Sequence, residues 1–155
     1  MTDSHFYSWF SGFADGEAHF GIKVVNHTKQ AWSPSFEIGL RLDDVMVLER
    51  LRAEFGGVIY YRSGRGGNQK PQASWKVHKL SELMGLVRHF ETYPLLAKKS
   101  GDFAVWKQAV VHLYENTRVS TGRRANSVDG ARMAELASAL KQGREFRGKH
   151  LRVVA

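Results

Sequence analysis

Cysteine is absent from the 155-residue sequence, and proline occurs only three times. The lack of cysteine excludes disulfide bonds and thiolate metal sites, and it is consistent with a reducing compartment. Seven histidines are present, but they are too scattered along the chain to predict a zinc site. A metal site in this protein would therefore have to be built from oxygen ligands.

Long apolar segments and an N-terminal targeting pattern are also missing. No stretch approaches the roughly 20 apolar residues of a transmembrane helix. The first residues, Met1-Thr2-Asp3-Ser4-His5, include no basic segment, so no secretory signal is predicted. We therefore expect an intracellular protein, in the cytoplasm, an organelle matrix or a nucleoid, that is not secreted and does not bind a membrane.

Positive charge is what the sequence has in excess. It contains 23 Lys and Arg residues against 15 Asp and Glu, which gives a formal net charge of +8 at pH 7. Such a charge favours a polyanionic partner, namely DNA, RNA or an acidic membrane, of which the membrane is the weaker candidate. The length fits one compact domain over residues 1–155, and the sequence shows no internal repeat.

The segment Phe10-Ser11-Gly12-Phe13-Ala14-Asp15-Gly16-Glu17-Ala18 is the most informative part of the chain. A helix of aromatic and small residues ends here in two carboxylates separated by one glycine. The helix dipole opposes negative charge at this end, by about 0.3–1 kcal/mol per group. A divalent cation such as Mg²⁺ would relieve the repulsion, because it binds oxygen ligands. A solvent-exposed acidic turn remains the alternative on this segment alone.

The helix before these carboxylates is predicted to begin at capping residues 2–4 and to end near Ala14. Its apolar face has the spacing i, i+4, i+7 and consists of Phe6, Phe10 and Phe13. A face of small residues has the spacing i, i+4, i+8 and consists of Ser8, Gly12 and Gly16. Such a face lets two helices approach closely. The spacing alone does not decide between pairing with a second helix and packing on the chain's own core.

Alternating apolar and polar residues predict four strands, paired in two hairpins. The strands cover 19–25, 35–42, 57–61 and 72–77. Pro34 is placed in the first hairpin loop, and the second loop is basic and rich in glycine. Helical periodicity predicts the remaining elements. These are helices over 45–55, 80–93 and 102–114, and a last helix through Met133 that ends near Gly143.

The predicted order is α-β-β-α-β-β-α followed by two C-terminal helices, which is the α+β class. The four strands would form one antiparallel sheet with helices on one face, leaving the other face open. A twisted β-ribbon fits the DNA major groove, where basic, amide and hydroxyl side chains read base edges. Candidate DNA-binding residues are Lys23, His27, Lys29, Glu37, Arg41, Tyr60, Arg62, Arg65, Lys70, Ser74 and Lys76. On this pattern alone, a merely solvated basic face remains an alternative.

Four sequence blocks resemble the LAGLIDADG homing endonucleases of the single-motif kind. Residues 10–18 align with the nine-residue signature of that family. The other blocks follow in the same order: residues 36–44 (FEIGLRLDD), residues 89–99 (HFETYPLLAKK), and the pairs Asp102-Phe103 and Trp106-Lys107. The resemblance implies the predicted α-β-β-α-β-β-α order with a DNA-binding sheet.

The resemblance also implies roles for individual residues. Glu17 stands where the family places its metal-binding acid, and Gly16 would lend the metal a backbone carbonyl. Asp15 joins the implied catalytic residues because it would shape the helix end. Lys99 stands at the family's active-site lysine, with Lys98 as a second candidate, and its charge would stabilise the transition state or tune the attacking water. The implied reaction is Mg²⁺-dependent hydrolysis of both DNA strands, with two or three divalent ions shared between subunits.

One signature supplies only one main acid per chain. The family solves this by pairing two signature helices, here residues 4–16, so the resemblance implies a homodimer and a long, partly palindromic DNA site. Some departures from the family pattern are visible. Ser11 is more polar than usual, Ala18 replaces the closing glycine, and Leu40 stands where some members carry a polar active-site residue, so that role has no candidate here.

Two other functions fit the same fold. An intron RNA-splicing maturase would make RNA the partner, and it can keep or lose cleavage. A non-catalytic DNA-binding protein would keep only the scaffold. The intact Glu17 and Lys99 argue against the second alternative and do not test the first.

Overall fold

The computed structural model describes residues 3–26, 31–64, 69–117 and 130–149. His27, Lys29 and Arg65, predicted to contact DNA, lie outside these residues. The helices are α1 (Ser4–Glu17), α2 (Val45–Phe55), α3 (Leu80–Thr92), α4 (Lys99–Glu115) and α5 (Gly130–Lys149). The strands are β1 (Ala18–Asn26), β2 (Ala31–Arg41), β3 (Val58–Arg62) and β4 (Gln72–Val77). The predicted element order and α+β class are confirmed.

The four strands form one antiparallel sheet in the order β1-β2-β4-β3. In the second half of β2, Phe36 lies opposite both Phe20 of β1 and Val77 of β4. In the first half, Pro34 lies opposite Ile22 of β1, in the part of β2 that pairs with β1 alone. Placing Pro34 in a loop was wrong, because proline is tolerated where a strand has a neighbour on one side only.

Aromatic side chains fill the space between the sheet and the helices. Phe10 of α1, Phe36, Trp75 and Trp106 are fully buried there. Both tryptophans also satisfy their indole N–H groups, since Trp106 Nε1 donates to the Ser35 carbonyl at 2.9 Å and Trp75 Nε1 donates to the Gly56 carbonyl at 2.8 Å. These contacts fix α1 and α4 on the same face of the sheet, which brings their ends together.

The aromatic face of α1 differs in one respect from the prediction. Phe6 and Phe10 are buried, but Phe13 is only half-buried and stacks on Trp9, with 5.0 Å between ring centroids. Trp9 is 44% exposed. The cause is the helix geometry, because Phe13 lies three residues after the fully buried Phe10 and hence about 60° around the helix from it. Phe13 therefore stands at the border of the core rather than inside it.

Helix α5 continues past Gly143, where the sequence pattern predicted its end. A glycine inside a helix costs only about 1 kcal/mol relative to alanine, and the packing of α5 against α4 and β1 outweighs that cost. The Arg144 guanidinium donates to the carbonyl of Phe20 in the edge strand β1, which helps to cover an otherwise unpaired edge. Among the described residues, no helix is both long and apolar enough to cross a bilayer.

Candidate active site

The end of α1 and the beginning of α4 meet at one point of the surface. The ammonium group of Lys99, the first residue of α4, donates to the Gly16 carbonyl at 2.8 Å. Glu17 follows directly as the last residue of α1, and its side chain is exposed. Residues 16, 17 and 99, far apart in sequence, thus bring a carboxylate, a carbonyl oxygen and an ammonium group together. Of the two lysines predicted for this position, Lys99 makes the contact.

Asp15 connects α1 to the loop that leads into α4. Its Oδ2 atom accepts hydrogen bonds from the backbone N–H groups of Leu96 (2.8 Å) and Ala97 (3.2 Å). Its Oδ1 atom is buried and has no hydrogen-bond partner among the described residues. An unpaired carboxylate oxygen is costly to bury. Asp15 is therefore placed to hold the backbone before Lys99, and one of its oxygens remains available for a donor from outside the described chain.

The oxygen atoms at the end of α1 suit a hard cation but do not complete its coordination. Glu17 offers a carboxylate and Gly16 a carbonyl oxygen, both of which Mg²⁺ accepts. Within the described ranges there is no group of three or more His, Cys, Asp or Glu side chains that could hold a metal ion. Because Mg²⁺ requires six ligands, water, a substrate or a second chain would have to provide the others.

The predicted DNA-binding residues on the open face differ in their surroundings. Lys76 forms an ion pair with Glu37 across the β2–β4 ladder, at 3.0 Å, and its ammonium lies 5.8 Å from the ring centroid of Tyr60. Arg41 pairs with Asp43 in the turn after β2. Lys23, Arg62 and Lys70 are exposed, and Ser74 is half-buried. The face is therefore a patterned surface of ion pairs and exposed cations rather than a uniform positive one.

His19 is a residue of this face that the predicted set omitted. It lies two positions after Glu17 and opposite Glu37 across the β1–β2 ladder. Desolvation lowers the pKa of His19, and the positive charges of Arg144, Lys23 and Lys99 lower it further, against an opposing contribution from the negative charge of Glu37. Its position on the polar side of β1, two residues after Glu17, was a usable sequence signal for a place in the site. No such signal pointed to Arg144, because only the fold brings α5 to this edge of the sheet.

A buried polar contact lies one helical turn before Asp15. The Ser11 hydroxyl donates to the Tyr93 carbonyl at 2.7 Å, and its Oγ lies 3.1 Å from Nε2 of His89. The rings of Tyr7, Phe10, Phe55, Phe90 and Tyr93 lie around the imidazole, with centroid distances of 4.8–5.7 Å. Burial in this setting lowers the pKa of His89 to about 4.

This shift predicts a specific loss of stability in acid. The unfolded chain takes up a proton at His89 near the ordinary pKa of 6.5, whereas the folded chain does so only near pH 4. The free energy of unfolding should therefore fall as the pH drops through this window, by up to about 3 kcal/mol from this group. Urea unfolding of the wild type and of His89→Gln at several pH values measures it. Parallel losses in both proteins would contradict the assignment.

The sequence profile described as LAGLIDADG endonuclease matches residues 10–110, which include the second half of α1, the whole sheet and most of α4. The chain belongs to the LAGLIDADG endonuclease family. The match begins at the signature segment and extends past Lys99, so the site at the end of α1 lies inside the family's shared region.

Individual members of the LAGLIDADG family support the same relationship. The chain is 31% identical over 105 residues to "Probable intron-encoded endonuclease 3" of Neurospora crassa, covering 65% of this chain and 19% of that protein. It is 26% identical over 111 residues to "Probable intron-encoded endonuclease Cox1-I1b" of Schizosaccharomyces pombe, covering 70% and 28% respectively. The matched region thus spans only 19% and 28% of the length of these two curated relatives.

Solved structures of LAGLIDADG proteins share the fold. The homing endonuclease I-TnaI superposes with a TM-score of 0.67 at 26% identity, over 90% of this chain and 96% of that one. The LAGLIDADG meganuclease I-CpaMI bound to uncleaved DNA gives 0.59 at 28% identity, over 70% of this chain and 38% of that one. I-SmaMI bound to an uncleaved DNA target with calcium ions gives 0.66 at 21% identity, over 89% and 45%, which shows the fold alone.

Proposed function

We propose that this chain is a site-specific endonuclease that cuts both strands of DNA as a homodimer with Mg²⁺. The observation that carries the proposal is the meeting of Glu17, the Gly16 carbonyl and Lys99 beside an open sheet face with exposed cations. A protein that kept only the fold, without catalysis, would not need a carboxylate and an ammonium group together at an exposed helix end. Phosphodiester hydrolysis uses both, because negative charge develops on the phosphate in the transition state.

The exposed face of α1 supports the homodimer. Ser8, Gly12 and Gly16 are all exposed, and a Cβ atom built at either glycine meets nothing within 4 Å among the described residues. This face is not used for packing on the chain's own core. Apolar side chains flank it, with Trp9 44% and Leu96 90% exposed. A small-residue stripe between exposed apolar side chains suits close pairing with a second copy of α1.

The lengths of the structural neighbours agree with this proposal. The fold matches nearly all of I-TnaI but only 38% of the DNA-bound I-CpaMI chain. In a homodimer, a second copy of the present chain would add a second unit of the same fold. It would also bring two Glu17 carboxylates and two Gly16 carbonyls to one place. The two-fold axis then predicts a partly palindromic target.

The metal would be held by Glu17 and the Gly16 carbonyl from each subunit, as two or three shared ions. When bound, it would activate water and neutralise the leaving oxygen. Lys99 holds a positive charge at the same carbonyl, where it would stabilise the extra negative charge of the transition state. Asp15 would keep Lys99 in this position through its bonds to Leu96 and Ala97.

The direct test is selection for cleaved sites. The purified chain is incubated with a randomised or host-derived DNA library and Mg²⁺, and the new ends are sequenced. We expect one long, partly palindromic site with short 3′ overhangs and no products in EDTA. Binding without cleavage under all metal conditions would favour the non-catalytic alternative. Splicing of an intron RNA by the chain would show maturase activity.

The sheet face gives a prediction about binding. Lys23→Ala removes an exposed cation from the open face of each subunit. We therefore expect the slope of log K against log salt for DNA binding to become shallower by about 0.9 per subunit, or about 1.8 for the homodimer. Lys107→Ala is the matched control, because Lys107 pairs with Glu91 in the helical layer. Equal slopes for the wild type and Lys23→Ala would show that this part of the sheet does not contact phosphate.

A further inference from the structure

The Ser11–His89 contact has no role in the chemistry described so far, although it lies next to the loop that delivers Lys99. We propose that Ser11 and His89 are positioning residues, which fix the start of this loop and thereby the placement of the Lys99 ammonium. The proposal rests on the proposed nuclease function in assigning a catalytic role to Lys99. The positioning role itself is inferred from the hydrogen bonds of Ser11 and from the path of the loop between α3 and α4.

The donors and acceptors among Ser11, Tyr93 and His89 can be assigned because the Ser11 hydroxyl has only one proton. The Tyr93 carbonyl can only accept, so the single hydroxyl proton of Ser11 points to it over 2.7 Å. The Ser11 oxygen must then accept from Nε2 of His89 over 3.1 Å. His89 therefore carries a proton on Nε2 and donates it to Ser11. Both side chains are buried, so water does not substitute easily for either partner.

The loop between α3 and α4 is attached to α1 at successive points. The Tyr93 carbonyl binds Ser11, and the Leu96 and Ala97 N–H groups bind Asp15. The Lys99 ammonium then binds the Gly16 carbonyl. Two of the attachment points on α1, positions 11 and 15, have the spacing i, i+4 and therefore lie on one side of the helix. The third is the backbone carbonyl of Gly16, near the C-terminal end of the helix.

Each attachment point limits a different freedom of the loop. Asp15 alone would fix residues 96 and 97 but leave the chain between Tyr93 and that point free to shift. Ser11 fixes the carbonyl where α3 ends, and His89 sets the orientation of the Ser11 hydroxyl. Two fixed points define the direction of the segment entering α4. Lys99 is the first residue of that helix, so a change in this direction would move its side chain.

Ser11→Ala and Ser11→Thr form a matched pair, since alanine lacks the hydroxyl and threonine keeps it. We expect single-turnover cleavage by Ser11→Ala to be at least about tenfold slower, corresponding to about 1.4 kcal/mol in the activation barrier. The Kd for target DNA, measured with Ca²⁺ to prevent cleavage, should stay within about twofold. Ser11→Thr should recover most of the rate. The cleavage rate of Lys99→Ala gives the lower limit, because this variant lacks the lysine side chain altogether.

A second readout does not depend on cleavage. The ¹³Cε signal of Lys99 in ¹³C-lysine-labelled protein is assigned by its loss in Lys99→Arg. In Ser11→Ala this signal should move toward the positions of exposed lysines, whereas in Ser11→Thr it should stay. If Ser11→Ala does not fold, His89→Leu and His89→Gln give the same comparison, because the glutamine amide can still donate to Ser11.

The outcomes separate the two proposals. A folded Ser11→Ala protein that cleaves at the wild-type rate, or keeps the Lys99 signal in place, would overturn the positioning role. A purely structural role would lower thermal stability in Ser11→Ala without changing either readout. A wild type that cuts no DNA would overturn the nuclease function, and the Lys99 signal would still decide whether Ser11 and His89 place the lysine.

Discussion

Glu17→Gln is expected to abolish DNA cleavage while leaving DNA affinity similar to or higher than that of the wild type. The substitution keeps the shape of the side chain but removes the negative charge that a hard cation needs. Loss of a metal-held water and of charge neutralisation corresponds to several kcal/mol, so we expect at least about a 10³-fold lower single-turnover rate. Affinity should persist because one negative charge facing the phosphates is removed.

Glu115→Gln is the matched control for this change. Glu115 is also exposed and ends α4, sixteen residues after Lys99, which places it about 24 Å from that residue along the helix. The Glu115→Gln variant should cleave DNA at the wild-type rate. Turnover by Glu17→Gln at a rate near that of the wild type would remove Glu17 from the metal site. Loss of binding together with cleavage would instead indicate a structural role for the end of α1.

Gly12→Leu is expected to abolish dimerisation and cleavage together. A Cβ atom at Gly12 meets nothing within 4 Å among the described residues, so a single chain accommodates the leucine on its surface. Two closely paired α1 helices would not, because overpacking a tight interface costs typically about 1–3 kcal/mol per side chain. Sedimentation of the variant should show a folded monomer, and its DNA cleavage should be undetectable.

Gly85→Leu provides the comparison for the effect of leucine itself. Gly85 lies inside α3 and likewise has open space around a Cβ atom. Both substitutions gain helix propensity, about 1 kcal/mol relative to glycine. The two variants therefore differ only in whether the leucine lies on the proposed dimer face of α1 or on α3. Gly85→Leu should dimerise and cut. A wild type that sediments as a monomer, with cleavage first order in monomer, would contradict the homodimer.

The sequence was sufficient for the elements and for the faces of the strands. Strong alternation placed Phe36 and Ile38 toward the core, where both are fully buried, and placed Lys23 and Arg41 on the open side. The prediction from sequence failed at Pro34 and Gly143. Proline and glycine locally favour the end of a strand or helix, but tertiary packing continued the element through both positions. Pro34 lies where β2 has one partner strand, and Gly143 lies where α5 packs against α4.

The candidate site was predictable only in part. Glu17 and Lys99 came from sequence blocks that resemble the LAGLIDADG family, but the contact between Lys99 and the Gly16 carbonyl was not visible in either block. The predicted contacts Lys76 and Glu37 were correctly placed on one face. Their mutual ion pair depends on the register between β2 and β4, which no local pattern specifies.

The sequence by itself determined the positive charge that favours a polyanionic partner, the element order and the position of the carboxylates at the end of a helix. These follow from net charge, from periodicities of 2 and 3.6, and from short-range capping and turn signals. Only the tertiary structure decided that Ser11 faces His89, that Asp15 holds the loop before Lys99, and that the Ser8–Gly12–Gly16 face is left exposed. The physical reason is that the two contacts join residues about 80 positions apart. These contacts and the exposure of the small-residue face all depend on how helices and sheet pack and not on local conformational preference.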